Sequence, residues 1–478
     1  MIKRRKTLTY WHDLEHSQWL SRDELKRRQL VALRKLLNHA AKHCPYYRKA
    51  WHREGLLPAS INSLADFAAW PVIDRATIRE HRAQMRCAFP LPLVTKATGG
   101  SSGEPLQFEL NYDSNDRRTA QMYRGYGWAG GEPGTKQLFI WGGALSTVPA
   151  WKRWKMALHH RLDRHLVLNC FEFTPERMRQ HFMRLNRYRP EVIVAYTNPV
   201  YEFARFLDEQ NLKPVSPRSI IVSAEKLHAF QRELIQDVFQ APVFETYGSR
   251  EFMLIGAECD RHAGLHLSME NMLVEILDDD GSPTPPGEEG NVVITDLFNY
   301  GIPFVRYVNG DRAVAGFDDC SCGRGLPLLK QVTGRRLDTL TTPDGRTIPG
   351  EFFPHLIKDF PAIRRFQVVQ SDPEFITLKL VAPDLTADDR SVLLDAIHAC
   401  TGFTVEIELE FVNDIPLTKA GKLKVVVREV DCSPSPRNGE RRPGGEGHPL
   451  PSFVYEQTPE TLAPHPQPLS PCGGEGRM

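Results

Sequence analysis

The sequence lacks a long apolar run, a secretory leader and an excess of charge of either sign. No apolar run in its 478 residues reaches the roughly 18 residues that a membrane helix requires, and MIKRRKTLTYWHDLEH has no apolar core of a signal peptide. The 60 Lys and Arg residues balance 59 Asp and Glu residues, for a net charge of +1. Composition therefore gives no reason to expect nucleic acid or a membrane as partner, and we expect a cytoplasmic protein.

Cysteine is also scarce. Nine cysteines form an odd and sparse set for this length, which argues against a secreted disulfide scaffold and favours a reduced protein. Cys44, Cys87, Cys170 and Cys400 stand alone in the sequence. Cys259 lies close to His262 and His266 in the sequence, and Cys320 lies close to Cys322. These two short clusters indicate a metal site rather than disulfides.

Composition and periodicity divide the chain into three parts. Residues 432–478 contain 10 Pro and 7 Gly, a low-complexity composition that predicts a disordered tail without a catalytic role. From about residue 192, apolar strands such as VIVAY and SIIVSA alternate with helices, which indicates a parallel sheet covered on both faces. We therefore predict an α/β fold with mostly parallel sheets in a large domain, 1–333, followed by a small α+β domain, 334–431.

A Gly/Ser/Thr-rich loop lies between two predicted strands in TKATGGSSGEPLQFEL, residues 95–110. Such a loop turns backbone N–H groups and hydroxyls inward, as a polyphosphate requires. It is not a Walker loop, because no Gly-Lys-Ser/Thr follows and no helix begins there. From these residues alone, a flexible hairpin loop remains as good an interpretation as a phosphate cradle.

Further motifs favour the cradle. SAEKL (223–227), YGSRE (247–251), RYVNGD (306–311), TGRRLD (333–338) and PLTKAGK (416–422) follow in that order. Together they resemble the adenylate-forming superfamily. PYYRKAW, LADFAAWPVIDRATIREH and TDLFNYGIPFVRYVNGD resemble in particular its phenylacetate–CoA ligase and capsular-polysaccharide branch. The resemblance covers roughly residues 25–430.

The resemblance implies that an organic acid reacts with Mg·ATP to give acyl-AMP and pyrophosphate. It implies that Glu251 holds Mg²⁺, that Asp311 accepts both ribose hydroxyls, and that Lys422 bridges the reacting groups from a mobile lid. An acid pocket is expected near Tyr196, Ser223 and Tyr247. The residues implied in nucleotide and acid binding are Thr98, Gly99, Gly100, Ser101, Ser102, Gly103, Ser223, Ala224, Glu225, Tyr247, Gly248, Ser249, Asp311 and Arg335.

The sequence departs from the superfamily at the hinge. Two residues after Arg335, where the superfamily usually has Asp or Lys, stands Leu337, followed by Asp338. The glycine-bearing stretch that approaches coenzyme A is replaced by TTPDGRTIPG. Adenylation is thus better supported than the thioester step.

A structural zinc site is the second prediction. Cys259, Cys320 and Cys322 with one histidine match a closed tetrahedral Zn²⁺ site. The resemblance favours His266, and the two-residue spacing from Cys259 makes His262 the alternative.

Three functions remain open. The first is transfer of the acyl group to coenzyme A, with an aryl acid as the family default. The second is transfer to an amine or hydroxyl in the tailoring of a polysaccharide or metabolite. The third is a non-catalytic nucleotide-binding homologue, against which the retained Glu251, Asp311 and Lys422 argue.

Overall fold

A computed structural model of the protein describes residues 6–89, 91–98, 106–141, 150–170, 174–316, 319–335, 340–343, 347–348, 352–357, 360, 362–401, 405–416 and 423–429. Met1–Val430 form one compact unit. The predicted tail, 432–478, lies outside the described residues.

The helices and strands of this unit alternate through much of the chain. The helices are α1 (Thr7–Ser17), α2 (Arg22–His43), α3 (Pro45–Arg53), α4 (Leu64–Ala68), α5 (Arg75–Met85), α6 (Tyr112–Gly127), α7 (Ala150–Leu162), α8 (Pro175–Tyr188), α9 (Thr197–Glu209), α10 (Ala229–Phe239), α11 (Phe352–Ile357) and α12 (Ala387–Thr401). A short 3₁₀ turn covers Pro58–Ser60.

The strands are β1 (Leu93–Ala97), β2 (Gln107–Asn111), β3 (Gln137–Trp141), β4 (His165–Asn169), β5 (Val192–Tyr196), β6 (Ser219–Ser223), β7 (Val243–Tyr247), β8 (Gly256–Glu258), β9 (Leu265–Leu267), β10 (Met272–Leu277), β11 (Glu289–Asp296), β12 (Tyr307–Ala315), β13 (Leu328–Arg335), β14 (Leu340–Thr341), β15 (Thr347–Ile348), β16 (Arg365–Asp372), β17 (Phe375–Val381), β18 (Glu406–Phe411) and β19 (Val426–Arg428).

Local capping residues position the starts of two N-terminal helices. Ser21 accepts the backbone N–H of Glu24 at the start of α2, at 3.3 Å, and Asp74 accepts the N–H of Thr77 at the start of α5, at 2.8 Å. These bonds satisfy N–H groups that a helix leaves without internal partners. Leu33, Leu36 and Leu37 on one face of α2 are buried, and Leu30 packs against the same core.

The largest sheet in the described part of the chain has the order β10-β11-β12-β13-β9-β8-β7-β6-β5-β3-β4. From β7 to β4 its strands are parallel, as predicted. From β7 to β10 they are antiparallel, which the sequence did not indicate. The fold is thus α/β, with a mixed rather than a mostly parallel large sheet.

The parallel half is buried on both faces. Every residue of β5 is buried. Ile193 and Ala195 pack into a core that includes side chains of α9 and α10, while Val192 and Val194 pack into a second core that includes Ala129. Burial of alternate residues on opposite faces explains why the strand sequences are apolar throughout.

The C-terminal strands form a separate four-stranded sheet in the order β18-β17-β16-β19. It has its own hydrophobic core, in which Val368, Leu378 and Leu380 of the sheet pack with Leu393 and Ile397 of α12. The strands and helix of this region agree with the predicted α+β composition. The boundary at 333/334 and the lid role remain predictions.

Candidate active site at the carboxyl ends of the strands

Three neighbouring parallel strands end at the same edge of the large sheet. Tyr196 closes β5 and pairs in register with Ser223 at the end of β6, and β7 beside it ends at Tyr247. In open α/β sheets, ligands bind in the crevice outside the carboxyl ends of the strands. The three residues predicted to line the acid pocket therefore share one edge.

Aromatic packing joins the chain segments that carry the motifs. Phe108 of β2 contacts Phe304 with ring centroids 5.6 Å apart, and Phe304 contacts Phe252 at 5.5 Å. Phe108 follows the Gly/Ser loop, Phe252 follows Glu251, and Phe304 precedes the RYVNGD motif. A shared core thus holds together three motifs that lie far apart in the sequence.

Asp311 lies in a hydrogen-bond network at this edge. Its Oδ2 accepts bonds from the hydroxyl of Tyr247 at 2.8 Å and from Nδ2 of Asn309 at 2.9 Å. Nδ2 of Asn309 also donates to the Tyr247 hydroxyl, at 2.7 Å. A carboxylate has about four acceptor sites, and this network fixes the orientation of those on Asp311.

Arg335 lies opposite Asp311 in the register of β12 and β13. The backbones of the RYVNGD and TGRRLD motifs are therefore adjacent, although the side chain of Arg335 lies outside the described residues. Asn309 was not singled out from the sequence. Its spacing of two residues from Asp311 along a strand was the available signal, because it places both side chains on one face.

Glu251 is a buried carboxylate in the turn after β7. Its Oε1 lies 3.3 Å from Nη2 of Arg75 and 3.5 Å from the hydroxyl of Tyr307. Burial raises the pKa of Tyr307, so this hydroxyl stays protonated as a donor. Arg75, at the start of α5, was not predicted as a site residue.

The chemistry of Glu251 fits a magnesium ligand. Mg²⁺ prefers carboxylate and phosphate oxygens, with one or two carboxylates from the protein. Close packing requires a glycine at position 248, three residues before Glu251. A Cβ at Gly248 would lie 2.0 Å from the carbonyl oxygen of Met253. The turn that presents Glu251 is therefore tightly constrained. Ser249 supports it by accepting the N–H of Phe252 at 3.3 Å.

The Gly/Ser loop begins as predicted, from an antiparallel hairpin of β1 and β2. Thr98 is buried, donates its backbone N–H to the carbonyl of Leu106 at 3.0 Å, and accepts the N–H of Leu106 on its hydroxyl oxygen at 2.9 Å. Its O–H hydrogen remains a donor. Gly99, Gly100, Ser101, Ser102 and Gly103 lie outside the described residues.

Three basic residues, Lys96, Arg118 and Arg250, interact electrostatically beside this loop. Burial, together with the charges of Arg118 and Arg250, lowers the pKa of Lys96 to about 8. A lysine so close to other cations lies where an anion would be attracted. Lys96 was not predicted, and its place just before the loop was the signal in the sequence.

The SAEKL motif follows β6 along the same edge. Ala224 adopts a φ of +75°, which is rare for a residue with a side chain. Glu225 accepts the backbone N–H of Asn198 on Oε2 at 2.9 Å, and its carbonyl accepts the hydroxyl of Thr197 at 2.9 Å. These bonds tie the motif to the start of α9, beside the predicted acid pocket.

An aromatic pair lies at the same edge. The rings of Trp141, at the end of β3, and Tyr196 have centroids 4.0 Å apart, and burial raises the pKa of Tyr196 to about 12. The hydroxyl of Tyr196 is therefore a neutral donor at physiological pH. Lys422, Leu337 and Asp338 lie outside the described residues.

The predicted cysteine and histidine residues form one cluster. The ligand atoms of Cys259, His266, Cys320 and Cys322 all lie within 4.8 Å of one another. The sulfurs of Cys259 and Cys320 are 3.8 Å apart, and Nε2 of His266 is 3.3 Å from the sulfur of Cys322. Three sulfurs and one imidazole nitrogen are a ligand set that fits a structural zinc ion.

His266 is oriented for such a role. Its Nδ1 lies 3.3 Å from the carbonyl oxygen of Leu326, which only accepts hydrogen bonds, so Nδ1 carries the proton and Nε2 presents its lone pair to the sulfurs. Burial lowers the pKa of His266 to about 4. The alternative, His262, lies instead against Glu258, with Nδ1 3.1 Å from Oε2. The geometry thus selects His266.

Comparison with known proteins agrees with this fold. The crystal structure of 2-hydroxyisobutyryl-CoA ligase in the postadenylation state, in complex with 2-HIB-AMP, matches with a TM-score of 0.69 at 20% identity, covering 87% of this chain and 91% of the other. The same ligase in the thioesterification state matches with a TM-score of 0.58. The chain therefore shares the fold of this ligase.

Sequence relatives narrow the relationship. Residues 340–429 match the CapK C-terminal domain family. A phenylacetate-coenzyme A ligase of Thermus thermophilus is 23% identical over 441 residues, covering 85% of this chain and 97% of the relative. Protein CapK of Staphylococcus aureus is 21% identical over 444 residues, covering 90% and 94%. Over most of its length the chain is thus similar to phenylacetate–CoA ligases and to CapK.

Proposed function

We propose that this protein activates a carboxylic acid with ATP and transfers the acyl group to coenzyme A. An oxygen of the acid attacks the α-phosphorus, the bond from that phosphorus to the bridging oxygen of the β-phosphate breaks, and pyrophosphate leaves. The thiol sulfur then attacks the acyl carbon, AMP leaves, and the thiol proton passes to solvent. An aryl acid is the first class to test, because several relatives are phenylacetate–CoA ligases.

The observation that carries the proposal is the network of Tyr247, Asn309 and Asp311, formed by two motifs about 60 residues apart in sequence. Asp311 accepts hydrogen bonds from the ribose, and Arg335 adds a cation beside it. Thr98, Lys96 and the following loop bind the β- and γ-phosphates. Trp141, Tyr196 and Ser223 line the acid pocket at the strand ends.

Glu251 holds Mg²⁺ in this proposal, and the ion supplies charge neutralisation of the phosphates. Nη2 of Arg75 lies 3.3 Å from Oε1 of Glu251, so Arg75 holds this carboxylate in place. Lys422, from the lid formed by residues 334–431, contacts the acid and the α-phosphate during adenylation.

Acid-dependent exchange of labelled pyrophosphate into ATP tests the first half-reaction. We expect exchange with at least one acid class, with an increased requirement for Mg²⁺ in Glu251→Gln and no change in Glu288→Gln, which alters an exposed carboxylate. Exchange at background level with every acid class would favour the non-catalytic alternative.

A second acceptor is favoured by one finding, the CapK match of residues 340–429. In this alternative the acyl group passes to an amine or hydroxyl in the tailoring of a polysaccharide or metabolite. The altered hinge at Leu337 lies three residues before this segment. Release of AMP from a preformed acyl-adenylate with coenzyme A, compared with amine and hydroxyl acceptors, distinguishes the two functions.

The cluster of Cys259, His266, Cys320 and Cys322 is proposed to hold a structural Zn²⁺. Four protein ligands leave no position for water, so the ion would join the turn after β8 to the loop before β13 rather than take part in the reaction. We further propose that the protein acts in the cytoplasm.

A further inference from the structure

Helix α7 exposes a concentration of large apolar side chains. Trp151 is 65% exposed, Trp154 70%, Leu158 43% and Leu162 74%. Among the described residues, three tryptophans are more than half exposed, and two of them lie on this helix of 13 residues. Single exposed apolar residues are ordinary, but a group of four on one short helix indicates an interaction surface.

The four side chains lie on one stripe. At about 100° per residue, they fall within an arc of about 80° of the helix circumference. The helix packs against β4, so its apolar stripe is not what holds it to the sheet. Grouped exposed apolar side chains on a soluble protein mark an interaction surface.

The charge of α7 indicates which partner. Its sequence, AWKRWKMALHHRL, contains Lys152, Arg153, Lys155 and Arg161 and no Asp or Glu. The chain as a whole carries a net charge of +1, so this helix is a local concentration of positive charge. Contact between two copies through this face would set like charges together. An anionic surface is complementary to it.

Tryptophan and leucine on one stripe of a cationic helix are typical of helices that lie in the interface of a lipid bilayer. At 13 residues, α7 is about 20 Å long. No helix among the described residues is long and apolar enough to cross a membrane. The geometry of α7 therefore suits a position parallel to the membrane surface.

We propose that α7 binds the surface of anionic lipid bilayers, with Trp151, Trp154, Leu158 and Leu162 inserted at the level of the headgroups. The four basic residues in the sequence of the helix supply electrostatic attraction to anionic lipids. Binding is reversible, because a single amphipathic helix buries limited apolar area. This inference is independent of the reaction proposed above.

Co-sedimentation of the full chain with vesicles tests the proposal. Binding is expected to vesicles of phosphatidylcholine with phosphatidylglycerol, to be weak with phosphatidylcholine alone, and to fall as NaCl rises. The double variant Trp151→Gln/Trp154→Gln is expected to lose about tenfold or more in partitioning. The matched control Leu57→Gln/Met183→Gln, which removes exposed apolar side chains from other elements, is expected to bind as the parent does.

Thermal unfolding and sedimentation velocity complete the test. The tryptophan variant is expected to unfold at the parent temperature, so that weaker binding reflects the surface and not the fold. The proposal is overturned if the parent does not bind anionic vesicles or if both double variants bind equally. It is also overturned if the tryptophan variant alone converts a dimer of the parent into a monomer, since α7 would then join two copies.

Discussion

Asp311 is the residue on which we propose that recognition of the nucleotide depends. Tyr247 and Asn309 hold its Oδ2 in place, so the carboxylate is oriented before a ligand arrives. A hydrogen-bond acceptor that is already held in place contributes more to binding affinity than a mobile one, because no further conformational entropy is lost when the ligand binds.

Substitution of Asp311 by Asn is expected to raise KM for ATP by about 10- to 100-fold. Charge-assisted hydrogen bonds contribute about 1.5–3 kcal/mol, and about 1.4 kcal/mol corresponds to a factor of ten. Steady-state kinetics of pyrophosphate exchange measure the effect. Asp280→Asn, in an exposed turn, serves as the control. A normal KM for ATP in Asp311→Asn would remove this residue from the ribose site.

Lys96 predicts a pH dependence of ATP binding. Its pKa of about 8 means that the amine loses its proton as pH rises through 8. The negative charge of bound phosphate raises the pKa of Lys96 again. ATP binding is therefore expected to be accompanied by proton uptake at pH 9 and by little uptake at pH 7, and the affinity for ATP is expected to fall as pH rises. Calorimetry in buffers of different ionisation enthalpy measures the uptake.

Lys96→Met is expected to abolish the proton uptake, whereas Lys330→Met, an exposed lysine on β13, is expected to retain it. Uptake of the same size in Lys96→Met would assign the proton to another group.

At the level of elements, the sequence predicts what local patterns determine. Helix caps at Ser21 and Asp74 and the apolar strands β5, β6 and β7 follow from short-range chemistry, and the structure contains them. The antiparallel strands β8 to β13 did not show as a sheet in the sequence, because their pairing joins residues such as Leu265 and Leu329 that lie far apart.

In the candidate site, too, local sequence patterns indicate some residues, and only long-range contacts in the structure reveal the others. Motif residues such as Glu251 and Asp311 were identified by resemblance, and the cysteine cluster by residue type. Arg75, Asn309 and Trp141 were missed because their roles depend on contacts with distant residues. The resemblance favoured His266 over His262, and their hydrogen bonds agree with that choice.

The cysteine cluster predicts that one zinc ion joins two loops. His266→Ala is expected to lose zinc and to unfold at a lower temperature, whereas His262→Ala is expected to keep about one zinc per chain. Elemental analysis and thermal unfolding in the presence and absence of a chelator measure both effects. Well under one zinc per chain in the parent protein would contradict the assignment.

At the scale of the whole molecule, adenylation is proposed to require residues from both ends of the unit. The proposed nucleotide-binding network of Tyr247, Asn309 and Asp311 belongs to strands β7 and β12. Lys422 belongs to the C-terminal segment that matches the CapK family. The two contributions are separable by substitution, because they act on different steps of binding and chemistry.

Lys422→Ala is expected to bind ATP with the affinity of the parent and to unfold at the same temperature, while acid-dependent pyrophosphate exchange falls by orders of magnitude. The reason is that a cation bridging the acid and the α-phosphate acts mainly in the transition state. Lys424→Ala, two residues away, is the matched control. Equal exchange rates in both variants would remove Lys422 from the mechanism.

The most direct test of the central claim follows the oxygen atoms of the acid. An acid that supports exchange is labelled with ¹⁸O in its carboxylate and incubated with the protein, Mg·ATP and coenzyme A, and the products are separated and analysed by mass spectrometry. Attack on the α-phosphorus predicts one ¹⁸O atom in AMP and none in pyrophosphate. Label in inorganic phosphate, with ADP as the other product, would contradict an adenylate-forming reaction.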